Sequence, residues 1–178
     1  MAVGIFKEKS ALLIVDMIND FVEEEGALSV PGAKEIMSSI AGLAGEARGA
    51  GIPVIYINDS HDPDDEEFKI WSPHAITGTE GAEVAQGLEP QKGDHVLTKK
   101  RFSAFFKTEL EDILKELGVE HVVITGTVTN ICIFATALDA IIRGYSVTVV
   151  EEGVAALSEE DHRFALKQIE QVFGGEVV

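Results

Sequence analysis

Cys132 is the only cysteine in the chain, and it lies where a thiol can be made reactive. It closes the run Gly126-Thr127-Val128-Thr129-Asn130-Ile131-Cys132, between a strand-like segment over 122–125 and a helix-like segment over 132–143. A sulfur at a strand-to-helix turn meets the positive end of the helix dipole, which favours thiolate and nucleophilic attack. A lone cysteine is more often a small buried hydrophobe, so chemistry requires other groups to converge on it. Two residues have the right types. Asp16 follows the apolar run 11–15, and a carboxylate beside a thiol accepts its proton and can return it to a leaving group. Lys99 follows the run 95–98, and a cation there keeps the carboxylate ionised and lowers the thiol pKa. Lys100 and Arg101 adjoin it, but Lys99 is nearest the strand and is taken as the inward cation.

A second constellation is Asp59-Ser60-His61 with His74 further along. On an extended segment, residues two apart share a side, so Asp59 and His61 point the same way. A carboxylate and two imidazoles suit zinc, iron or manganese. The acidic run that follows, Asp62 to Glu67, offers one more oxygen. A hydrated acidic loop with incidental histidines has the same spacing. His95, His121 and His162 fall away from this edge and read as surface or structural residues.

The elements that must carry these groups alternate. Strand-like runs occupy 11–15, 53–57, 95–98, 122–125 and 146–150, with a short candidate at 175–178. They are almost wholly apolar, as in a parallel sheet covered on both faces. Helix-like stretches lie between them. Residues 33–48 carry Ile36, Ile40 and Leu43 on one stripe. A capping box of Thr108 and Glu111 opens a helix that stops at Gly118. Residues 132–143 form another, and Ser158 opens a last one with Phe164, Ile169 and Val172 available for packing. This predicts a layered α/β domain spanning 1–178 with right-handed crossovers. Asp16, Asp59, Lys99 and the Cys132 turn then follow the carboxyl ends of four different strands, the edge where such sheets bind ligands. The irregular stretch 59–88 reads as a functional loop.

Composition narrows the partners. The 178 residues are 46% hydrophobic, and 31 acidic against 14 basic residues give a formal charge of -17. Such a surface repels phosphate backbones, so nucleic acid is not the expected partner. One cysteine suits a reducing compartment. Residues 1–8 lack the apolar stretch of a signal peptide, and no segment is apolar enough to span a membrane, so a cytoplasmic protein is expected.

Three ordered motifs, Leu13-Ile14-Val15-Asp16-Met17-Ile18-Asn19-Asp20-Phe21, Lys99-Lys100-Arg101-Phe102-Ser103-Ala104-Phe105 and Gly126 to Cys132, together resemble the isochorismatase-like cysteine hydrolases. The resemblance spans almost the whole chain. It implies a three-layer α/β/α, Rossmann-like fold with a six-stranded, mainly parallel sheet in the order 3-2-1-4-5-6, and homo-oligomers. It implies a catalytic triad of Asp16, Lys99 and Cys132. It also implies a cis peptide at Thr127-Val128, and an oxyanion hole from the N–H groups of Val128 and Cys132. Within the family, Asp59-Ser60-His61 and Trp71-Ser72-Pro73-His74 look most like nicotinamidases. That likeness implies a divalent metal, zinc ahead of iron or manganese, on Asp59, His61 and His74, with Glu67 as a further candidate ligand. It places Phe21 and Trp71 against the substrate ring. The implied reaction is hydrolysis of nicotinamide to nicotinic acid and ammonia through a cysteine thioester. The alternative is another family hydrolase acting on a different small amide or on isochorismate.

Overall fold

The computed structural model describes residues 4–178; the first three residues of the N-terminal segment read above lie outside them. Six strands form one sheet: β1 (Ser10–Val15), β2 (Val54–Asp59), β3 (His95–Lys99), β4 (His121–Thr127), β5 (Ser146–Ala155) and β6 (Glu176–Val177). Their order is β3-β2-β1-β4-β5-β6, and every neighbouring pair is parallel. The α/β class is as the alternation of strand-like and helix-like runs predicts, and the strand order is the one the family resemblance implies, with the sheet parallel throughout.

Alternate residues of the central strands enter two separate cores. Leu13 and Val15 of β1, Ile55 and Ile57 of β2 and Ile124 of β4 pack on one face. There they meet α3 (Leu110–Glu116), α4 (Phe134–Ile142) and α5 (Glu159–Gln171) through Leu114, Ala137, Leu166 and Ile169. Leu12, Ile14, Val54 and Tyr56 face the other way, against α2 (Met37–Gly49). Ile40, Leu43, Ala44 and Ala47 recur on one stripe of α2 and are all buried. The short helix α1 (Asn19–Val22) buries Phe21 and Val22 in the same core.

Connections run from β1 to β2 and β3 on one side, and through β4 to β5 and β6 on the other. A crevice therefore opens between the carboxyl ends of β1 and β4. Gly126 is what lets those two strands close up there. Its φ is +119°, and a Cβ at that position would stand 1.9 Å from the Val15 carbonyl oxygen.

Several local expectations are corrected. α2 begins at Met37, four residues late, because residues 33–36 are held in turns. The capping box does not form. Thr108 Oγ1 does accept from the Leu110 N–H, but Glu111 turns outward to Lys115 and Arg143. β5 does not stop before Glu151-Glu152: a register shift against β4 pushes that pair into solvent and the strand resumes to Ala155. β3 is an edge strand covered on one face, leaving Val96 53% exposed. Ser158 caps α5 as expected, accepting from the Asp161 N–H, and Ile169 is buried, but Phe164 and Val172 face outward at 60% exposure.

Candidate active site

Four strands deliver one polar group each to the crevice. Asp16 is the residue after β1, Asp59 ends β2, Lys99 ends β3, and Cys132 lies in a π-helical turn, Thr129–Ile133, between β4 and α4. The sheet register pairs Asp59 with Lys99, which sets the two side by side. Asp16 adopts a left-handed φ of +53°, a conformation costing on the order of 1 kcal/mol for a residue with a side chain. The Asp59 N–H offsets this by donating to Asp16 Oδ1 at 2.7 Å, and Thr127 Oγ1 donates to the Asp16 carbonyl at 2.8 Å.

Lys99 Nζ sits at the centre of the group. It is 2.8 Å from Asp16 Oδ2, 2.5 Å from Asp59 Oδ1 and 3.5 Å from Cys132 Sγ. Sγ and the carboxylates of Asp16 and Asp59 come within 4.8 Å of one another, all buried. Lys100 and Arg101, the neighbouring cations, turn away to Asp62 and Asp65. Of the three cations, Lys99 is the one that points into the crevice.

Burial dominates the electrostatics. It pushes the Asp16 carboxyl up to about 7, helped by the negative Asp59 and opposed by Lys99. Burial alone would favour neutral Lys99, but Asp16 and Asp59 outweigh it and hold the ammonium well above its ordinary range. The Cys132 thiol is pushed well up by burial, with Lys99 opposing and the two carboxylates adding to the rise. This corrects the expectation of a ready thiolate. Loss of water and the two nearby carboxylates outweigh the one ammonium, so the site raises the thiol pKa instead of lowering it.

Beside this triplet, Asp59, His61, Glu67 and His74 form a second buried cluster whose donor atoms also lie within 4.8 Å of each other. His61 Nε2 is 3.6 Å from Asp59 Oδ2 and 3.9 Å from Glu67 Oε1; His74 Nε2 is 3.9 and 3.8 Å from the same two oxygens. His74 Nδ1 meets the Ser72 carbonyl at 2.8 Å, which commits Nε2 to the cluster. His61 Nδ1 faces Asp65 Oδ2 at 3.3 Å. Neither nitrogen of His61 has an aligned hydrogen bond, nor has Glu67 Oε2, although all are buried. Of these atoms His61 Nε2 is the one that faces the cluster, and an orphaned buried polar atom of this kind needs a partner. Two imidazoles and two carboxylates are a zinc-type donor set, and bonds of about 2.0 Å would require only a small contraction of the cluster. The residues fit a divalent cation, and Glu67, among the acids of its run, is the one that joins them.

A single cavity of about 170 Å³ reaches both clusters. Cys132, Asp59, Glu67 and His74 line it, and Phe21 and Trp71, the rings the family resemblance points to, form part of its wall. The Phe21 ring lies 5.5 Å from that of His74. Val128 also lines the cavity, and the Thr127-Val128 peptide is cis. Sequence reasoning missed the remaining wall: Leu28, Ser29, Val30, Phe102, Ile131 and Leu157. Phe102 lies inside a motif already singled out, whereas Leu28 and Leu157 are loop residues with no distinguishing pattern. Phe68, 5.5 Å from His61 and 5.6 Å from His74 in edge-on contact, was missed as well. His121 is structural, buried between Ser10 and Thr148, and His162 meets Thr129 at 3.0 Å.

Residues 10–178 match the isochorismatase domain, and the chain belongs to the isochorismatase-like hydrolase family. The pyrazinamidase/nicotinamidase of Streptococcus mutans UA159 is 36% identical, with a TM-score of 0.89 over 95% of this chain and 99% of that one. The N-carbamoylsarcosine amidase of Thermoplasma acidophilum is 38% identical, with a TM-score of 0.87 over 95% of each chain. The pyrazinamidase of Pyrococcus horikoshii, solved in complex with zinc, is 29% identical, with a TM-score of 0.90 over 96% of this chain and 98% of that one. Among the described residues no helix is long and apolar enough to cross a membrane.

Proposed function

We propose that this protein is a nicotinamidase, hydrolysing nicotinamide to nicotinic acid and ammonia. The observation that carries the reading is that Cys132, the Asp59–His61–Glu67–His74 cluster and the rings of Phe21 and Trp71 converge on one cavity. Among the described residues no lysine or arginine lines that cavity, and apart from Ser29 and the Asp59, Glu67 and His74 side its wall is largely apolar. An amide bearing its own carboxylate, such as N-carbamoylsarcosine, would find no cationic side chain in that wall and would be desolvated beside Asp59 and Glu67, with only the cation proposed below to offset its charge. A neutral aromatic amide meets no such penalty and can stack on the rings.

A divalent cation on Asp59, His61, Glu67 and His74, zinc before iron or manganese, would supply a Lewis acid for a heteroaromatic nitrogen and so orient the ring. The covalent chemistry belongs to the protein. Asp16 takes the Cys132 proton as sulfur attacks the carboxamide carbon, so charge separation is brief and the high thiol pKa is no obstacle. The oxyanion accepts from the N–H groups of Val128 and Cys132. Asp16 returns the proton to nitrogen, ammonia departs and a thioester remains. Asp16 then draws a proton from water, hydroxide adds to the thioester, and nicotinic acid leaves as the proton returns to sulfur. Lys99 opposes the protonation of Asp16 between steps and balances the negative charge of the pocket.

The test is ammonia release by the purified protein from nicotinamide and pyrazinamide, beside N-carbamoylsarcosine and isochorismate. Turnover of the neutral aromatic amides at least about 10²-fold faster, abolished by Cys132→Ala, supports the assignment. Preference for a carboxylate-bearing substrate, or turnover surviving in Cys132→Ala, overturns it.

A further inference from the structure

Asp20 lies outside the cavity and outside both clusters, yet its carboxylate joins the two loops that build them. Oδ2 accepts from the Ala75 N–H at 2.7 Å, and Oδ1 accepts from the Ala27 N–H at 3.1 Å. Ala75 directly follows His74, is fully buried and holds a left-handed φ of +46°. Its carbonyl in turn accepts from the His61 N–H at 2.8 Å. One residue, Ala75, thus connects Asp20 to the backbone of both histidines. On its other side, Asp20 fixes the segment that carries Leu28 and Val30 into the cavity wall: its own carbonyl accepts from the Leu28 N–H at 3.0 Å.

The surrounding chain leaves room for this brace. A Cβ on Gly81 would stand 2.3–2.5 Å from the Asp20 carboxylate, and one on Gly26 would stand 2.4 Å from the Asp20 carbonyl oxygen. Neither glycine needs a left-handed backbone, so space is what their lack of a side chain provides. Asn19 ties the same region down, its side-chain amide donating to the Glu80 carbonyl at 2.8 Å. An ionised carboxylate accepting two backbone N–H groups forms charge-assisted bonds, stronger than neutral ones.

We infer that Asp20 is a positioning residue for the histidine pair: it locks Ala75 in its left-handed conformation and thereby fixes where His74 and His61 present Nε2. The inference rests on the metal reading of that cluster. It places a second layer of organisation in a residue that touches neither the cation nor the substrate, where substitutions typically reduce metal affinity 10–100-fold.

The experiment measures Zn²⁺ affinity by competition with a chromogenic chelator, and the thermal midpoint of the metal-free protein, for wild type, Asp20→Asn and Gly81→Ala. Asp20→Asn keeps one acceptor oxygen but loses the charge; Gly81→Ala displaces the carboxylate and leaves it intact. Both variants are expected to bind Zn²⁺ about 10-fold or more weakly, with metal-free midpoints within a few degrees of wild type. Unchanged affinity in both overturns the inference while leaving the metal reading in place. Lost affinity accompanied by a large drop in the metal-free midpoint also overturns it, since Asp20 would then support the fold at large. A wild-type protein that binds no Zn²⁺ removes the metal reading, and this inference with it.

Discussion

Asp59 and Lys99 are register partners on adjacent strands, and the Asp59 carboxylate divides its oxygens between two tasks. Oδ1 is 2.5 Å from Lys99 Nζ, while Oδ2 faces His61 Nε2 at 3.6 Å and His74 Nε2 at 3.9 Å. The nucleophile's cation and the histidine cluster therefore share one carboxylate, and this separates the effects of two substitutions. His74→Ala should weaken Zn²⁺ binding about 100-fold or more while leaving the rate of Cys132 alkylation by iodoacetamide within about twofold. Asp59→Asn should also weaken Zn²⁺ binding, but it removes a negative charge that raises the thiol pKa, so alkylation should accelerate. An alkylation rate indifferent to Asp59→Asn would show the two clusters to be electrostatically independent.

Lys99 is fully buried between two carboxylates, and removing it strands both. Lys99→Met should cost about 3–5 kcal/mol in urea unfolding, the range for breaking a buried ion pair from one side. Adding Asp16→Asn to that variant should restore part of the loss, since one of the stranded charges is then gone. A Lys99→Met variant as stable as wild type would mean that the carboxylates take up protons at no cost.

Much of this site was legible in the chain because its chemistry sits at strand ends. Asp16, Asp59 and Lys99 each terminate an apolar run, and a parallel sheet brings such ends to one edge. The Cys132 turn was legible for the same reason. What escaped depends on contacts made only after folding. Leu28 and Leu157 line the cavity from loops without periodicity. Glu151 and Glu152 look like the end of a strand because a bulge puts both in water. The raised pKa of Cys132 depends on its burial and on how close Asp16 and Asp59 come to it, which a strand-to-helix turn does not reveal.

Asp16 must be ionised to accept the thiol proton, and its carboxyl is raised to about 7. Below that pH the base is protonated and idle; above it the base is available. The value of kcat/KM for nicotinamide should therefore climb about tenfold per pH unit on the acid side and level off above about pH 7. The pH–rate profile checks this. A plateau extending down to pH 5 would mean that Asp16 titrates as an ordinary carboxylate.

At the opposite end of the sheet, His121 gives stability a pH dependence opposite in sign to the one Asp16 gives it. Its ring is buried, with Nδ1 2.7 Å from Ser10 Oγ and Nε2 2.9 Å from Thr148 Oγ1. Burial lowers its pKa below the ordinary value of 6.5, the nearby Lys7 adds to the fall and Glu176 opposes it. The unfolded chain then binds more protons than the folded one between the lowered value and 6.5. The stability His121 contributes is complete above pH 6.5 and is lost as pH falls through the folded value. Asp16 acts in reverse: its folded pKa is above the unfolded 3.8, so the folded state gains stability as pH falls from about 7 towards 4. The two terms partly cancel in the wild-type protein. Urea unfolding at pH 5 and pH 7.5 should separate them. Asp16→Asn should steepen the loss of stability on acidification, and His121→Gln should flatten or invert it. Identical pH slopes in wild type and His121→Gln would show that His121 titrates alike in the folded and unfolded chains.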